Sequence, residues 1–232
     1  MKKLALLICA ILGVTFSAGA LSAGSNPVSP PNSQAFGRSL DAWLGDFWRQ
    51  YFTFPEVVGE KNITFLPIAC SVPTPTCLCE PTSTGVACTF DVTVAPGTPL
   101  VIPFVGWVGY SADDFLPPEC WGQTCNGPPP VNLREVFADA TLDGKPIGEP
   151  SAAYYVGPTF FDPPIPCPYE GAPDNMCVLY QSIGVVIKPL NPGTHLLVLY
   201  SGLRGEDPPP VGAWSLTYNN MWNITVLPPG KK

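Results

Sequence analysis

The chain has 232 residues, 46% of them hydrophobic and only 12% charged, with 31 prolines and nine cysteines. That apolar content excludes a disordered chain, so the prolines are assigned to ordered loops, where a fixed φ lowers the entropy lost on folding. Eleven basic residues against 18 acidic ones give a formal charge of −7, and no Lys/Arg cluster is present to meet phosphates, which excludes nucleic-acid binding.

Lys2 and Lys3, an apolar run from Leu4 to Phe16, and small residues at Ser17–Ala20 and Ala20–Ala23 follow the order of a secretory signal peptide. The apolar run is shorter than the roughly 20 residues of a membrane span. Residues 1–23 are therefore expected to be removed on export, leaving no transmembrane segment in the mature chain and a secreted or periplasmic protein. Residues 24–35 read as an extended leader, and residues 36–228 as a single β-rich domain.

Leu40, Trp43, Leu44, Phe47 and Tyr51 recur at helical spacing and predict an amphipathic helix over 39–52. Ser39 is the expected N-cap, Asp41 lies near the positive helix end, and Pro55 stops the helix. Arg49 and Asp46 fall off its apolar face. Beyond it the helical period disappears. Ile63–Ile68, Ala87–Ala95 and Pro99–Val108 read as strands. The last is almost wholly apolar, as a strand covered on both faces would be. Residues 111–131, with five prolines, read as a long loop, and Asn132 as the cap of one helical turn through Val136. Asp143-Gly144 marks a hairpin turn inside 139–147, because type I′ turns need positive φ at both central residues. Ala153–Val156, Val178–Ile187 and His195–Tyr200 are further strands. In the final segment Trp214, Leu216, Tyr218, Trp222, Ile224 and Val226 share one parity, the pattern of a strand with one buried face. Asn220 interrupts that face, so Asn219-Asn220 is read as a bulge or bend.

Short strands separated by Gly and Pro turns predict a mainly β fold: a β-sandwich or distorted barrel, with one N-terminal amphipathic helix laid over an edge or end and long disulfide-stapled loops. The helix with Trp43 and Trp48, the strand Val101-Ile102-Pro103-Phe104, then Ala140–Pro146 and Leu190–His195 come in an order that resembles a loose group of uncharacterised exported bacterial proteins. The resemblance covers most of 36–226. It implies the scaffold and no activity.

Cleavage of the leader removes Cys9 and leaves eight cysteines, an even number suited to a disulfide framework in an exported chain. Cys120 and Cys125 flank a short turn, and Cys167 and Cys177 flank a Pro/Gly/Asp loop, so each pair is expected to bond. Cys70, Cys77, Cys79 and Cys88 leave two arrangements open: Cys70–Cys77 with Cys79–Cys88, or Cys70–Cys79 with Cys77–Cys88. Their C-x6-C-x-C-x8-C spacing fits a zinc site poorly.

The sole histidine, His195, would have to serve any Ser-His-Asp or Cys-His site. It opens a strand after a turn, with no G-x-S-x-G elbow, and is read as a satisfied or solvent-facing side chain. No metal or cofactor motif is found. Asp113, Asp114 and Glu119 lie near Trp107, Tyr110 and Trp121 in sequence. Carboxylates beside aromatic platforms bind sugar, or hydrolyse a glycosidic bond with one acting as acid and the other as base or nucleophile. Trp107, Tyr110, Asp113, Asp114 and Trp121 are thus the candidate ligand-binding set, with carbohydrate the ligand class considered. The expectation is an exported, non-enzymatic binding or structural module. The alternative is a secreted carbohydrate-active hydrolase using Asp113, Asp114 and Glu119.

Overall fold

The computed structural model describes residues 26–53, 63–68, 75–110, 133–147, 152–167, 173–207 and 212–230. Residues 1–23, expected as a signal peptide, residues 111–131, expected as a loop, and Cys70, Cys120 and Cys125 lie outside them. Leu40–Thr53 form helix α1. The Ala42 amide donates to Ser39 Oγ at 3.2 Å, the predicted cap. The helix buries Leu40, Trp43, Leu44 and Phe47 of the face that the periodicity marks, together with Trp48, while Tyr51 is half-buried. Asp46 turns away from it to pair with Arg38, whose guanidinium also sits 4.7 Å over the Trp43 ring.

Among the described residues ten strands follow: β1 (Thr64–Phe65), β2 (Cys77–Pro81), β3 (Gly85–Val94), β4 (Leu100–Gly109), β5 (Leu133–Leu142), β6 (Lys145–Pro146), β7 (Tyr155–Pro166), β8 (Met176–Ile187), β9 (Gly193–Asp207) and β10 (Gly212–Val226). They form a four-stranded sheet ordered β1-β4-β8-β7 and a six-stranded sheet ordered β2-β3-β10-β9-β5-β6. Pairing is antiparallel except for β1 with β4 and β3 with β10.

The two sheets pack face to face, and Leu100, Ile102, Ile183, Val185, Trp222 and Ile224 interdigitate between them. The opposite face of the smaller sheet carries Val101, Tyr180 and Val186, and α1 covers it. The helix therefore lies over a sheet face, where the sequence places it at an edge or end. The reason is β4 and β8: both are apolar on both faces, so the side away from the larger sheet also has to be shielded from water. Tyr180 locks this layer in place. Its hydroxyl donates to Asp41 Oδ1 at 2.7 Å, which also accepts from Thr159 Oγ1 at 2.9 Å. Gly45 makes the approach possible, since a Cβ there would sit 2.7 Å from the Tyr180 hydroxyl.

Other differences have local causes. Residues 133–142 extend as β5, where a helical turn through Val136 is expected, because Val136, Ala138, Ala140 and Leu142 alternate into the core opposite β9. Strand β7 continues to Pro166 through Pro158, Pro163 and Pro164. It is an edge strand, where the missing N–H groups need no partner. Strand β2 has no counterpart among the expected strands. Strand β10 keeps register with both neighbours across Asn219-Asn220, so no bulge exists there. The Asp143-Gly144 turn has φ of 51° and 73°, as expected for its hairpin. Residues 26–29 dock on the end of β8: Val28 is 1% exposed, and the Ser29 amide donates to the Val186 carbonyl at 2.9 Å.

Cys79 and Cys88 are directly opposed on β2 and β3 and are bonded, which selects Cys79–Cys88 from the two arrangements left open. Cys77 is also in a disulfide, its partner outside the described residues. Cys167–Cys177 closes the β7–β8 connection. Among the described residues no helix is long and apolar enough to cross a membrane.

Candidate functional site

Strand β1 is in register with Leu100 and Val101 at the start of β4. Pro103, which lacks an N–H, follows, and the register of β4 on β8 shifts between Pro103 and Val105. The irregularity turns both Phe104 and Val105 into the inter-sheet core. Two buried serines satisfy the carbonyls it disturbs: Ser201 Oγ donates to Phe104 O at 2.5 Å and Ser182 Oγ to Val105 O at 2.8 Å. Gly106 follows. A Cβ on it would lie 2.5 Å from Cζ2 of Trp48, so only glycine lets the indole settle on the strand.

Against this stretch of β4 the last turns of α1 and the inner face of β10 close a cleft of about 160 Å³. Trp48, Tyr51 and Phe52 form one wall and Tyr218 and Asn220 the other, with Ile68 and residues 103–106 between them. The aromatic wall is preassembled: the Trp48 and Phe52 rings stack 5.7 Å apart, and Tyr51 meets Trp48 edge-on at 5.7 Å. Burial raises the pKa of Tyr51, with a further contribution from Tyr218, and burial raises that of Tyr218. Both hydroxyls therefore stay protonated at neutral pH and can donate as well as accept.

Two residues that line this cleft each carry a buried polar atom without a hydrogen bond among the described residues, the Trp48 Nε1 donor and the Asn220 Oδ1 acceptor, and neither atom is itself accessible. Trp48 is 4% exposed and Asn220 2%. The other half of the Asn220 amide is used, Nδ2 donating to the Ile68 carbonyl at 3.1 Å, which fixes the orientation of the group. A buried amide oxygen or indole N–H left unpaired costs about 1–3 kcal/mol, so such groups are rare in a folded interior. Trp222, one alternation further along β10, shows the usual outcome: its Nε1 donates to Pro67 O at 2.8 Å.

The residues predicted to bind ligand are placed elsewhere or not described. Trp107 packs against the inter-sheet core, and Tyr110 is 37% exposed just past the end of β4. Neither lines the cleft. Asp113, Asp114, Glu119 and Trp121 lie outside the described residues. The sequence nonetheless contains the signal for the cleft. Asn220 is a polar residue on the apolar parity of β10, and taking it for a bend hides an amide that the strand holds on its buried face.

His195 is satisfied, as expected. Its Nδ1 lies 2.8 Å from Asp143 Oδ2 and its Nε2 lies 2.9 Å from the Asn191 carbonyl. Both partners accept, so only the imidazolium donates to both. Burial pulls its pKa down, but the Asp143 and Asn191 hydrogen bonds and the Asp143 charge outweigh it and raise the pKa. Asp143 Oδ1 accepts from the Leu196 amide at 2.9 Å. The pair ties the β5–β6 turn to the start of β9, and its groups are committed to that role.

No protein-family model, curated protein or solved structure matches this chain.

Proposed function

We propose that this protein is an exported, disulfide-stapled β-sandwich that binds a small uncharged ligand in the cleft between α1, β4 and β10, without catalysing a reaction on it. Export is supported by the leader-like residues 1–23 and by the Cys79–Cys88 and Cys167–Cys177 bridges. The binding reading rests on one observation: Trp48, Tyr51, Phe52, Tyr218 and Asn220 line one cleft of about 160 Å³ between α1, β4 and β10. The non-catalytic reading follows from the lining. Its titratable groups among the described residues are two tyrosines whose pKa values burial raises, leaving no base or nucleophile poised near neutral pH.

The test is fragment screening of the oxidised mature chain by NMR. The six tryptophan indole N–H signals are followed, and that of Trp48 is identified by its loss in Trp48→Phe. Binders are expected to move the Trp48 signal and to leave that of Trp222 in place. A Trp48 signal that no fragment moves would refute the site.

A further inference from the structure

We propose that the outer face of the six-stranded sheet is a docking surface for a protein partner that presents an apolar patch rimmed by lysine and arginine. Strand alternation fixes which side chains stand on this face. Leu197, Leu199, Trp222 and Ile224 point into the inter-sheet core, so Leu196, Val198, Tyr200, Met221 and Asn223 point outward.

Register brings the apolar ones together. Leu78, Thr89, Met221, Val198 and Thr141 stand side by side across β2, β3, β10, β9 and β5. Leu196 and Tyr200 flank Val198 along β9, and the Tyr200 ring lies 5.2 Å from that of Phe137 on β5. A continuous apolar surface on the exterior of a chain marks an interaction site. Strand propensity alone does not require it, since Thr89 and Thr141 serve in the same row. The smaller sheet also has an apolar outer face, and α1 covers that one. On the larger sheet Leu78, Leu196, Val198, Tyr200 and Met221 are 37–54% exposed.

Charge selects the partner. Glu80 and Asp139 lie at the two ends of the neighbouring row through Ala87, Asn219 and Tyr200, and Asp91 lies in the row of Asn223 and Leu196 on the other side. All three carboxylates are exposed, and no Lys or Arg among the described residues forms an ion pair with them. Arg204, further along β9, is held by Glu135 at 2.6 Å. The apolar centre is thus bordered by acidic groups, which a basic rim on the partner complements. Two copies meeting through this face would set carboxylate against carboxylate, and an anionic bilayer is repelled for the same reason.

The experiment follows the methionine methyl signals of the oxidised mature chain, which has Met176 and Met221. Met221 reports this face and is identified by its loss in Met221→Leu. Met176, at the start of β8 in the other sheet, is the control. Two helical peptides with the same leucine face are titrated, one flanked by lysine and one by glutamate. Leu78 and Val198 are three strand spacings apart, about 14 Å, which about ten helical residues span. The lysine peptide is expected to move the Met221 signal alone and to bind at least tenfold more tightly than the glutamate peptide. Its affinity should fall at least tenfold as ionic strength rises from about 0.01 M to about 1 M, and at least threefold in the double variant Glu80→Gln with Asp139→Asn. The Trp48 indole signal should stay in place, so this surface stands or falls apart from the cleft. Equal affinity for the two peptides, or a Met221 signal that neither moves, would overturn the proposal. So would a Met221 signal that shifts with the protein's own concentration or with phosphatidylglycerol vesicles, which would make a second copy or a bilayer the occupant.

Discussion

Tyr180→Phe is the sharpest probe of the three-layer arrangement. Tyr180 is 2% exposed, its ring lies 4.8 Å from that of Phe161, and its hydroxyl donates to Asp41 in the first turn of α1. Phenylalanine keeps the ring and its packing. What is lost is a hydrogen bond to a carboxylate, worth about 1.5–3 kcal/mol. Asp41 retains Thr159, so the loss is expected toward the lower end. At about 2–4 °C per kcal/mol for a domain of this size, the melting temperature at pH 7 should fall by roughly 3–8 °C. A second signature reports that the hydroxyl is buried beside Asp41 in the folded state. Burial, then the Asp41 charge, raise the Tyr180 pKa well above its ordinary value of 10.0. The unfolded chain therefore releases that proton first, and the stabilisation is complete below pH 10 and drains away as pH rises above it. Wild type should lose about 1 kcal/mol more than Tyr180→Phe between pH 10 and 11, from one tyrosine titrating only in the unfolded state. Denaturant unfolding followed by circular dichroism at pH 7, 10 and 11 measures both. A variant within 0.5 kcal/mol (about the error of such a difference) at pH 7, with an alkaline limb parallel to wild type, would refute the docking role of the hydroxyl.

Three further outcomes are expected. Cys79→Ser with Cys88→Ser opens a loop of sequence separation 9 and should cost about 2–3 kcal/mol by the chain-entropy argument, measured by urea unfolding; peptide mapping of the oxidised protein should recover Cys79 joined to Cys88 and never to Cys70. Gly106→Ala forces a methyl group to within 2.5 Å of the Trp48 ring, so it should destabilise by about 1–3 kcal/mol and shift the tryptophan emission, and an unchanged spectrum would place Trp48 elsewhere. The His195–Asp143 pair predicts a pH window. The raised His195 pKa gives stability that is present below its ordinary 6.5 and lost as pH rises through the folded value. The lowered Asp143 pKa, where burial is outweighed by His195, Leu196 and Lys145, gives stability that is present above 3.8 and lost as pH falls through the folded value. Because Asp143 is half exposed, the pair should contribute no more than about 1 kcal/mol between those limits, and Asp143→Asn should flatten the profile. A histidine ring-proton titration with its midpoint at or below 6.5 would contradict the pairing.

Local periodicity determined much of this protein. The spacing Leu40-Trp43-Leu44-Phe47 marks the helix face, the unbroken apolar run of β4 marks a strand shielded on both sides, Asp143-Gly144 marks its turn, and the parity of β10 sorts Trp222, Ile224 and Val226 into the core. These signals are readable because each depends on residues within a turn or a pleat of one another. Proline and cysteine carry no such local signal. Pro158, Pro163 and Pro164 fit a strand because β7 lies at the edge of its sheet, and Cys79 bonds Cys88 because β2 lies beside β3.

Beyond the polar Asn220 on the apolar parity of β10, the candidate site belongs to the tertiary level. Trp48, Gly106 and Asn220 are separated by dozens of residues, and they meet because α1 crosses the face of the smaller sheet while β10, paired in parallel with β3, passes β4. No pattern along the chain records which polar atoms will find a partner after that assembly. Asn220 looks like a break in an apolar face until the fold shows its amide nitrogen bonded to Ile68 and its oxygen buried without a partner. Hydrogen-bond satisfaction is a property of the packed ensemble of neighbours, and in this protein it was settled only when three layers came together.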